Sequence, residues 1–323
     1  SFTALVGGAR GVHSPEQLEG LDRDELAASG PQPIAEAGAA SPDLSNAPGD
    51  LGPRLPLGDF PRGAKAGNLL HHLLETLDFA ACPEAMRDQV RQAHARFGLD
   101  PEGWDGVLSE SLRHWLDCPL PVEEGEPVRL GALPREARRA ELEFVLPVAE
   151  GGDRTRTLLT PARLGAVFAA FGAERPLLAA YARRLSQVSR LPLHGFLRGF
   201  VDLVFRHGGR YHLVDWKSNH LGSQAEDYAP VRLEAVMLSE HYVLQYHLYL
   251  VALHRHLRAR LPTYDYDEHM GSAYYLFLRG MAQGGPAEAG IFRDRPPRAL
   301  IEALSEVLDG GAALAPSRGG SNG

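Results

Sequence analysis

Two runs rich in β-branched and aromatic residues, FLRGFVDLVFR at 196–206 and RYHLVDWK at 210–217, are separated by a turn signal in Arg206-His207-Gly208-Gly209. Adjacent glycines accept the positive φ angles that a tight hairpin turn requires, so the two runs are expected to pair as antiparallel strands. A hairpin constrains the fold strongly because it settles which side chains share a face. Side chains alternate along a strand, so Asp215 and Lys217 point to one side, and Asp202 arrives from the neighbouring strand. Two carboxylates converging among Leu, Val and Phe are costly to bury unless a cation compensates them. An oxygen-coordinated Mg2+ or Mn2+ is the simplest such cation, whereas carboxylates at exposed strand ends would need none.

Lys217 stands out against the composition. Of 33 Lys and Arg residues, only Lys65 and Lys217 are lysine. An ammonium is a compact, movable donor, while a guanidinium is a fixed planar fork. Lysine in Asp215-Trp216-Lys217, in a chain that otherwise writes arginine, suggests a carboxylate that holds a metal beside an amine that acts on the reacting group. The alternative is a surface lysine at a strand end.

Asp202 followed by Asp215-x-Lys217 is similar to the PD-(D/E)XK nuclease pattern, and GFLRGFVDLVFRHGGRYHLVDWKSNHLG at 195–222 resembles the nuclease domain of the RecB family. Further blocks carry the same resemblance in order: FPRGAKAGNLLHHLLETLDF at 60–79, ELEFVLPV at 141–148, LQYHLYLVALHRHLRARLPTYDYDEH at 244–269 and YYLFLRG at 274–280. The resemblance implies an α/β fold of PD-(D/E)XK type, a mixed central sheet flanked by helices, with extra N-terminal and inserted helices. It also implies a metal-dependent deoxyribonuclease of the exonuclease V type, acting in double-strand-break processing and recombinational repair. His71, Asp202, Asp215 and the Trp216 carbonyl would hold Mg2+, with Mn2+ and Ca2+ as ions for the same site. Lys217 would orient or deprotonate the attacking water. The family places an acidic residue in the 141–148 block, and register favours Glu141 only slightly over Glu143. Gln245 and Tyr249 match a Gln-x-x-x-Tyr motif that touches a DNA phosphate. Implied partners are single- and double-stranded DNA, RecC- and RecD-like subunits, the RecB helicase region and RecA, in the cytoplasm and without a membrane. A non-catalytic docking module for helicase partners or RecA is the competing reading, and it would be expected to lose Asp215 or Lys217.

Periodicity places the remaining elements. A helix is expected over 67–79 with His71, Leu74, Glu75 and Asp78 on one side, Glu75 being set either to orient His71 or to form a surface pair. Helices are expected at 83–97 and 104–117, and a strand at 138–148 with Glu141, Glu143 and Val145 on one face. Inserted helices at 161–172 and 176–188 carry no visible chemistry. A long helix at 238–261, a strand at 272–279 and a helix at 297–308 complete the pattern.

With 323 residues, 44% of them hydrophobic, the chain can bury one large core or two small ones. It has no apolar run of the roughly 18 residues that crossing a membrane requires. Two cysteines are too few for a disulfide framework or a four-cysteine iron–sulfur cluster, and fit a reducing cytosol. The net charge of -8 opposes phosphate binding, but residues 16–50 hold eight Asp or Glu and one Arg. The expected organisation is an N-terminal segment and acidic mobile linker at 1–58, a nuclease domain at 59–309 and a disordered tail at 310–323. A start at Ser1 suggests a piece of a longer polypeptide. Arginines cluster at 135, 138 and 139, at 183, 184 and 190, and at 255, 258 and 260.

Overall fold

The computed structural model describes residues 54–99, 103–148, 159–188 and 195–311. The expected linker over 16–50, Arg190 and the tail beyond 311 lie outside them. The elements in chain order are α1 (Ala64–Thr76), α2 (Pro83–Phe97), α3 (Trp104–Asp117), β1 (Arg138–Val148), α4 (Pro161–Ala170), α5 (Pro176–Leu185), β2 (Gly195–His207) and β3 (Arg210–Lys217). They continue with α6 (Pro230–Ser239), α7 (Tyr242–Arg260), α8 (Tyr266–His269), β4 (Met270–Phe277), β5 (Ile291–Asp294) and α9 (Arg298–Leu308).

The hairpin of β2 and β3 closes at His207 opposite Arg210, with Gly208 and Gly209 at φ 57° and 82°. Positive φ at both central residues matches the turn to the right-handed twist of the strands. The sheet runs β1-β2-β3-β4-β5. β3 and β4 are parallel and the other pairings antiparallel, so the sheet is mixed. Parallel neighbours require a crossover, and residues 218–269, with α6 and α7, supply it.

Alternation sorts β3 and β4 between two cores. Leu213, Ala273 and Tyr275 face one layer with α4, α5, α7 and α9; Val214, Trp216, Tyr274 and Leu276 face another with α1, α2 and α3. α7 is apolar nearly all round and correspondingly buried along most of its length. The result is the expected α/β sandwich.

Several boundaries differ from those periodicity suggested. α1 spans 64–76, because Leu77 turns extended, and Asp78 therefore lies outside it. The helix expected over 238–261 is α7, which starts only at Tyr242: residues 238–239 close α6, and His241 between the two helices lies in the left-handed region with φ 57°, a break that the apolar pattern hides. β4 begins at Met270 rather than 272. β5 has only four residues, too short for a periodic signal, and it was missed along with α6 and α8. Leu55 and Leu57 are already buried, so packing begins ahead of residue 59.

Candidate active site

Leu203 and Val214 are the last residues paired in the hairpin on the side away from its turn. Both join the α1 side of the sheet, so one residue further Asp202 and Asp215 turn toward the α7 side. There the ladder gives way to a side chain: the Trp216 N–H donates to Asp202 Oδ2 at 2.8 Å. His71 reaches the same carboxylate from α1, with Nδ1 3.6 Å from Asp202 Oδ2. Asp215 and Lys217 form an ion pair of 2.5 Å. Asp202, Asp215 and Lys217 are 4%, 3% and 3% exposed.

Among the described residues, no three His, Cys, Asp or Glu side chains form a ready-made ligand cluster. The donor chemistry nonetheless fits a hard divalent cation: two buried carboxylates and an imidazole stand against one buried ammonium. Of the four expected ligand positions, the structure joins His71 and the Trp216 amide to Asp202, and ties Asp215 to Lys217 next in line.

The far side of Lys217 is lined by α7 and β4. Its Nζ donates to Gln245 Oε1 at 3.3 Å, and the Tyr275 hydroxyl donates to the same oxygen at 2.8 Å. Gln245 Nε2 in turn donates to the Tyr249 hydroxyl at 2.9 Å. An ammonium can only donate, so the amide oxygen must face it, and that fixes which end of Gln245 meets Tyr249. Tyr275 lies beside Asp215 in the parallel ladder. Burial, and then the Asp215 charge, hold its phenol well above the ordinary tyrosine range, so it remains a donor.

Glu141 lies opposite Asp202, since Ala140 pairs with Leu203 and Leu142 with Val201. Its φ of 49° interrupts the regular alternation of β1. Glu143 instead pairs with Arg198 on the exposed edge. Glu141 and His241 are the two non-glycine residues with positive φ among those described; the first stands across from Asp202 in the register and the second immediately precedes α7. Such backbone strain persists only where surrounding packing over-determines it. For His241 a contact is visible: the Tyr181 hydroxyl of α5 meets its Nδ1 at 2.9 Å, so the inserted helices support the start of α7. Phe144 packs edge-on against Tyr249 at 5.3 Å, and Gly199 opposite it leaves room for the ring.

Other polar residues singled out in the sequence make contacts that hold the fold. Glu75 is exposed and its charge acts on His72. Arg138 lies 3.7 Å over the Phe79 ring, and Arg255 bonds Ser305 and pairs with Asp309. Arg279, from the 274–280 block, is a buried staple: its guanidinium donates to the carbonyls of Ser218, Leu57, Phe60 and Pro61. Periodicity missed Tyr242 and Tyr275. Tyr242 was detectable from its spacing to Gln245 and Tyr249 on one helix face, whereas Tyr275 needed the β3–β4 register.

The profile of the PD-(D/E)XK nuclease superfamily matches residues 53–317. The chain belongs to this superfamily. Nucleases of the superfamily generally use divalent metal ions. The chain is also similar to RecBCD enzyme subunit RecB of Escherichia coli (strain K12), 38% identical over 258 residues, covering 80% of this chain and 20% of that protein. The RecB subunit of Mycobacterium tuberculosis (strain CDC 1551 / Oshkosh) is 36% identical, covering 96% of this chain and 28% of that protein. That of Haemophilus influenzae (strain ATCC 51907 / DSM 11121 / KW20 / Rd) is 35% identical, covering 77% and 19%. The chain thus spans 19–28% of the length of these three relatives. No helix among its described residues is long and apolar enough to cross a membrane.

Proposed function

We propose that the chain is the nuclease domain of a RecB-type helicase–nuclease subunit, a Mg2+-dependent deoxyribonuclease of the exonuclease V type acting in break processing and recombinational repair. The observation that carries this reading is the buried Asp215–Lys217 pair beside Asp202, on the sheet face lined by Gln245 and Tyr249. His71, Asp202, Asp215 and the Trp216 carbonyl would hold the ion. When bound, Mg2+ supplies positive charge at the scissile phosphate and lowers the pKa of a bound water. Lys217, as an ammonium, orients the attacking water and meets the charge that develops on the phosphate oxygens. Gln245 keeps Lys217 and Tyr249 in register by accepting from the one and donating to the other, which sets the Tyr249 hydroxyl on the side where a DNA phosphate would approach. Glu141, opposite Asp202, adds negative charge at the edge of the site.

Similarity to RecB subunits along most of the chain supports single- and double-stranded DNA as substrate and RecC- and RecD-like subunits as partners. It also supports a helicase region elsewhere in the same polypeptide, RecA as a docking partner and a cytoplasmic setting. A purely docking role is disfavoured because Asp215 and Lys217 are both retained. The deciding experiment compares the chain with Asp215→Ala on single-stranded DNA, with and without Mg2+. Divalent-dependent cleavage lost in the variant supports the reading; equal cleavage by both, or none by the parent chain, defeats it.

A further inference from the structure

Lys217 Nζ sits 3.9 Å from the centroid of the Tyr242 ring and 5.1 Å from that of Tyr275. The two rings are themselves in contact, 5.5 Å apart and inclined at 43°. Asp215 at 2.5 Å and Gln245 Oε1 at 3.3 Å also lie against the ammonium. Both hydroxyls point away to partners of their own: that of Tyr242 donates to Asn219 Oδ1 at 3.2 Å and that of Tyr275 to Gln245 Oε1 at 2.8 Å. The rings therefore present their faces to the ammonium and use their polar ends to stay in place.

Resting on the nuclease reading above, we propose that Tyr242 and Tyr275 are positioning residues for the reaction: an aromatic clamp that holds the Lys217 ammonium at one point between Asp215 and Gln245. A lysine side chain has several rotatable bonds, and hydrogen bonds alone leave its tip free to shift among them. Ring faces carry the negative lobe of the aromatic quadrupole and attract a cation without needing a directed hydrogen bond, leaving the ammonium's protons for Asp215, Gln245 and the nucleophile. A flat guanidinium would stack on Tyr242 and put its charge elsewhere, which gives a physical reason for lysine here in a chain rich in arginine. The clamp spans two elements. Tyr242 is the first residue of α7, placed by the left-handed turn at His241, and Tyr275 is held in the ladder beside Asp215.

The test uses the full chain as wild type, Tyr242→Phe, Tyr242→Leu and Tyr242→3,4,5-trifluorophenylalanine. Steady-state cleavage of single-stranded DNA with Mg2+ is measured, together with proton–carbon spectra of protein labelled at the lysine ε-carbon. Only Lys65 and Lys217 contribute signals, and Lys65 is exposed. The Lys217 ε-protons should resonate upfield of those of Lys65 in wild type and Tyr242→Phe, because they lie over a ring, and lose that shift in Tyr242→Leu. The leucine and trifluorophenylalanine variants should lose roughly ten-fold in kcat with KM within about two-fold, while phenylalanine stays within about three-fold of wild type. The fluorinated ring keeps the shape but removes the quadrupole, so it decides the matter even if leucine impairs folding. Cleavage by the fluorinated variant at the phenylalanine rate, or coincident lysine signals in wild type, overturns the clamp. Absence of cleavage by every form including wild type would defeat the nuclease reading, and the lysine spectra would still decide the clamp.

Discussion

Lys217 and Asp202 compensate buried charge in different ways, and the difference sets what each substitution should do. Lys217 pairs with Asp215, so removing its charge leaves a buried carboxylate that a bound divalent ion can still compensate. Lys217→Gln is expected to lower the cleavage rate by on the order of 100-fold or more while Mn2+ binding, read by calorimetry, persists and the thermal midpoint of the Mn2+-bound protein changes little. Lys217→Arg should rescue poorly. Lys217 is buried, so the surface-residue alternative is already excluded, and wild-type rates in the glutamine variant would leave it a structural partner of Asp215 with no part in cleavage. Asp202 accepts the Trp216 N–H, which an amide oxygen can also do. Asp202→Asn should therefore fold but bind Mn2+ weakly, and unchanged calorimetric affinity would remove Asp202 from the ligand set. Arg279 answers to stability: four carbonyls accept from its guanidinium, and an ammonium has only three protons with no planar fork. Arg279→Lys should cost about 2–4 kcal/mol in a denaturant titration.

At the scale of elements, β2 is the strand whose partners do most to place the site. Its turn end pairs regularly with β3, while its other end leaves that ladder and lends Asp202 to the Trp216 amide. Along β1 the same strand places Gly199 against Phe144, whose ring abuts Tyr249. A Cβ at position 199 would lie 2.5 Å from Phe144 Cζ. Gly199→Ala is expected to displace that ring and cost about 1–3 kcal/mol, with a further fall in cleavage because Tyr249 loses its neighbour. An unchanged midpoint in chemical unfolding would show that the ring moves aside without cost. α5 acts at a distance through Tyr181 and His241, which sequence reading had passed over as an insertion without chemistry.

For the molecule as a whole, acid stability follows from three histidines, His212 and His247 buried and His241 half-buried. Burial is the leading cause in each, lowering His212 to about 3 and His241 and His247 to about 4. Above pH 6.5 these imidazoles are neutral both folded and unfolded; as pH falls below 6.5, only the unfolded chain takes up protons. Stability should drop through the window from 6.5 toward 4, by up to roughly 1.4 kcal/mol per histidine per pH unit, and melting curves across that range check the sign. A second expectation concerns DNA. Removing residues 1–53, which stops short of the buried Leu55 and Leu57, should tighten single-strand binding at low salt by deleting the acidic run at 16–50. The gain should shrink as salt rises. Equal affinity at every salt concentration would show that the acidic run does not compete with phosphate.

The sequence by itself determined the hairpin, the common face of Asp215 and Lys217, helices α2 and α3, strand β1 and the α/β character. All of these are local: two- and 3.6-residue periods and glycine turn chemistry are properties of neighbouring residues. The Asp202 and Asp215-x-Lys217 pattern and the spacing of Gln245 and Tyr249 were legible for the same reason. Tertiary structure decided which residues distant in the chain meet at the site. His71 reaches Asp202 only because α1 packs across the strand end, and Tyr275 reaches Lys217 and Gln245 only through the parallel register of β3 and β4. Glu141 was separated from Glu143 by a positive φ that no alternation pattern contains. The break at His241, which starts α7 at Tyr242, was hidden because an apolar period reads the same whether a backbone continues or turns left-handed for one residue. Contacts between elements depend on packing and register, and these are fixed only once the cores on both sides of the sheet have formed.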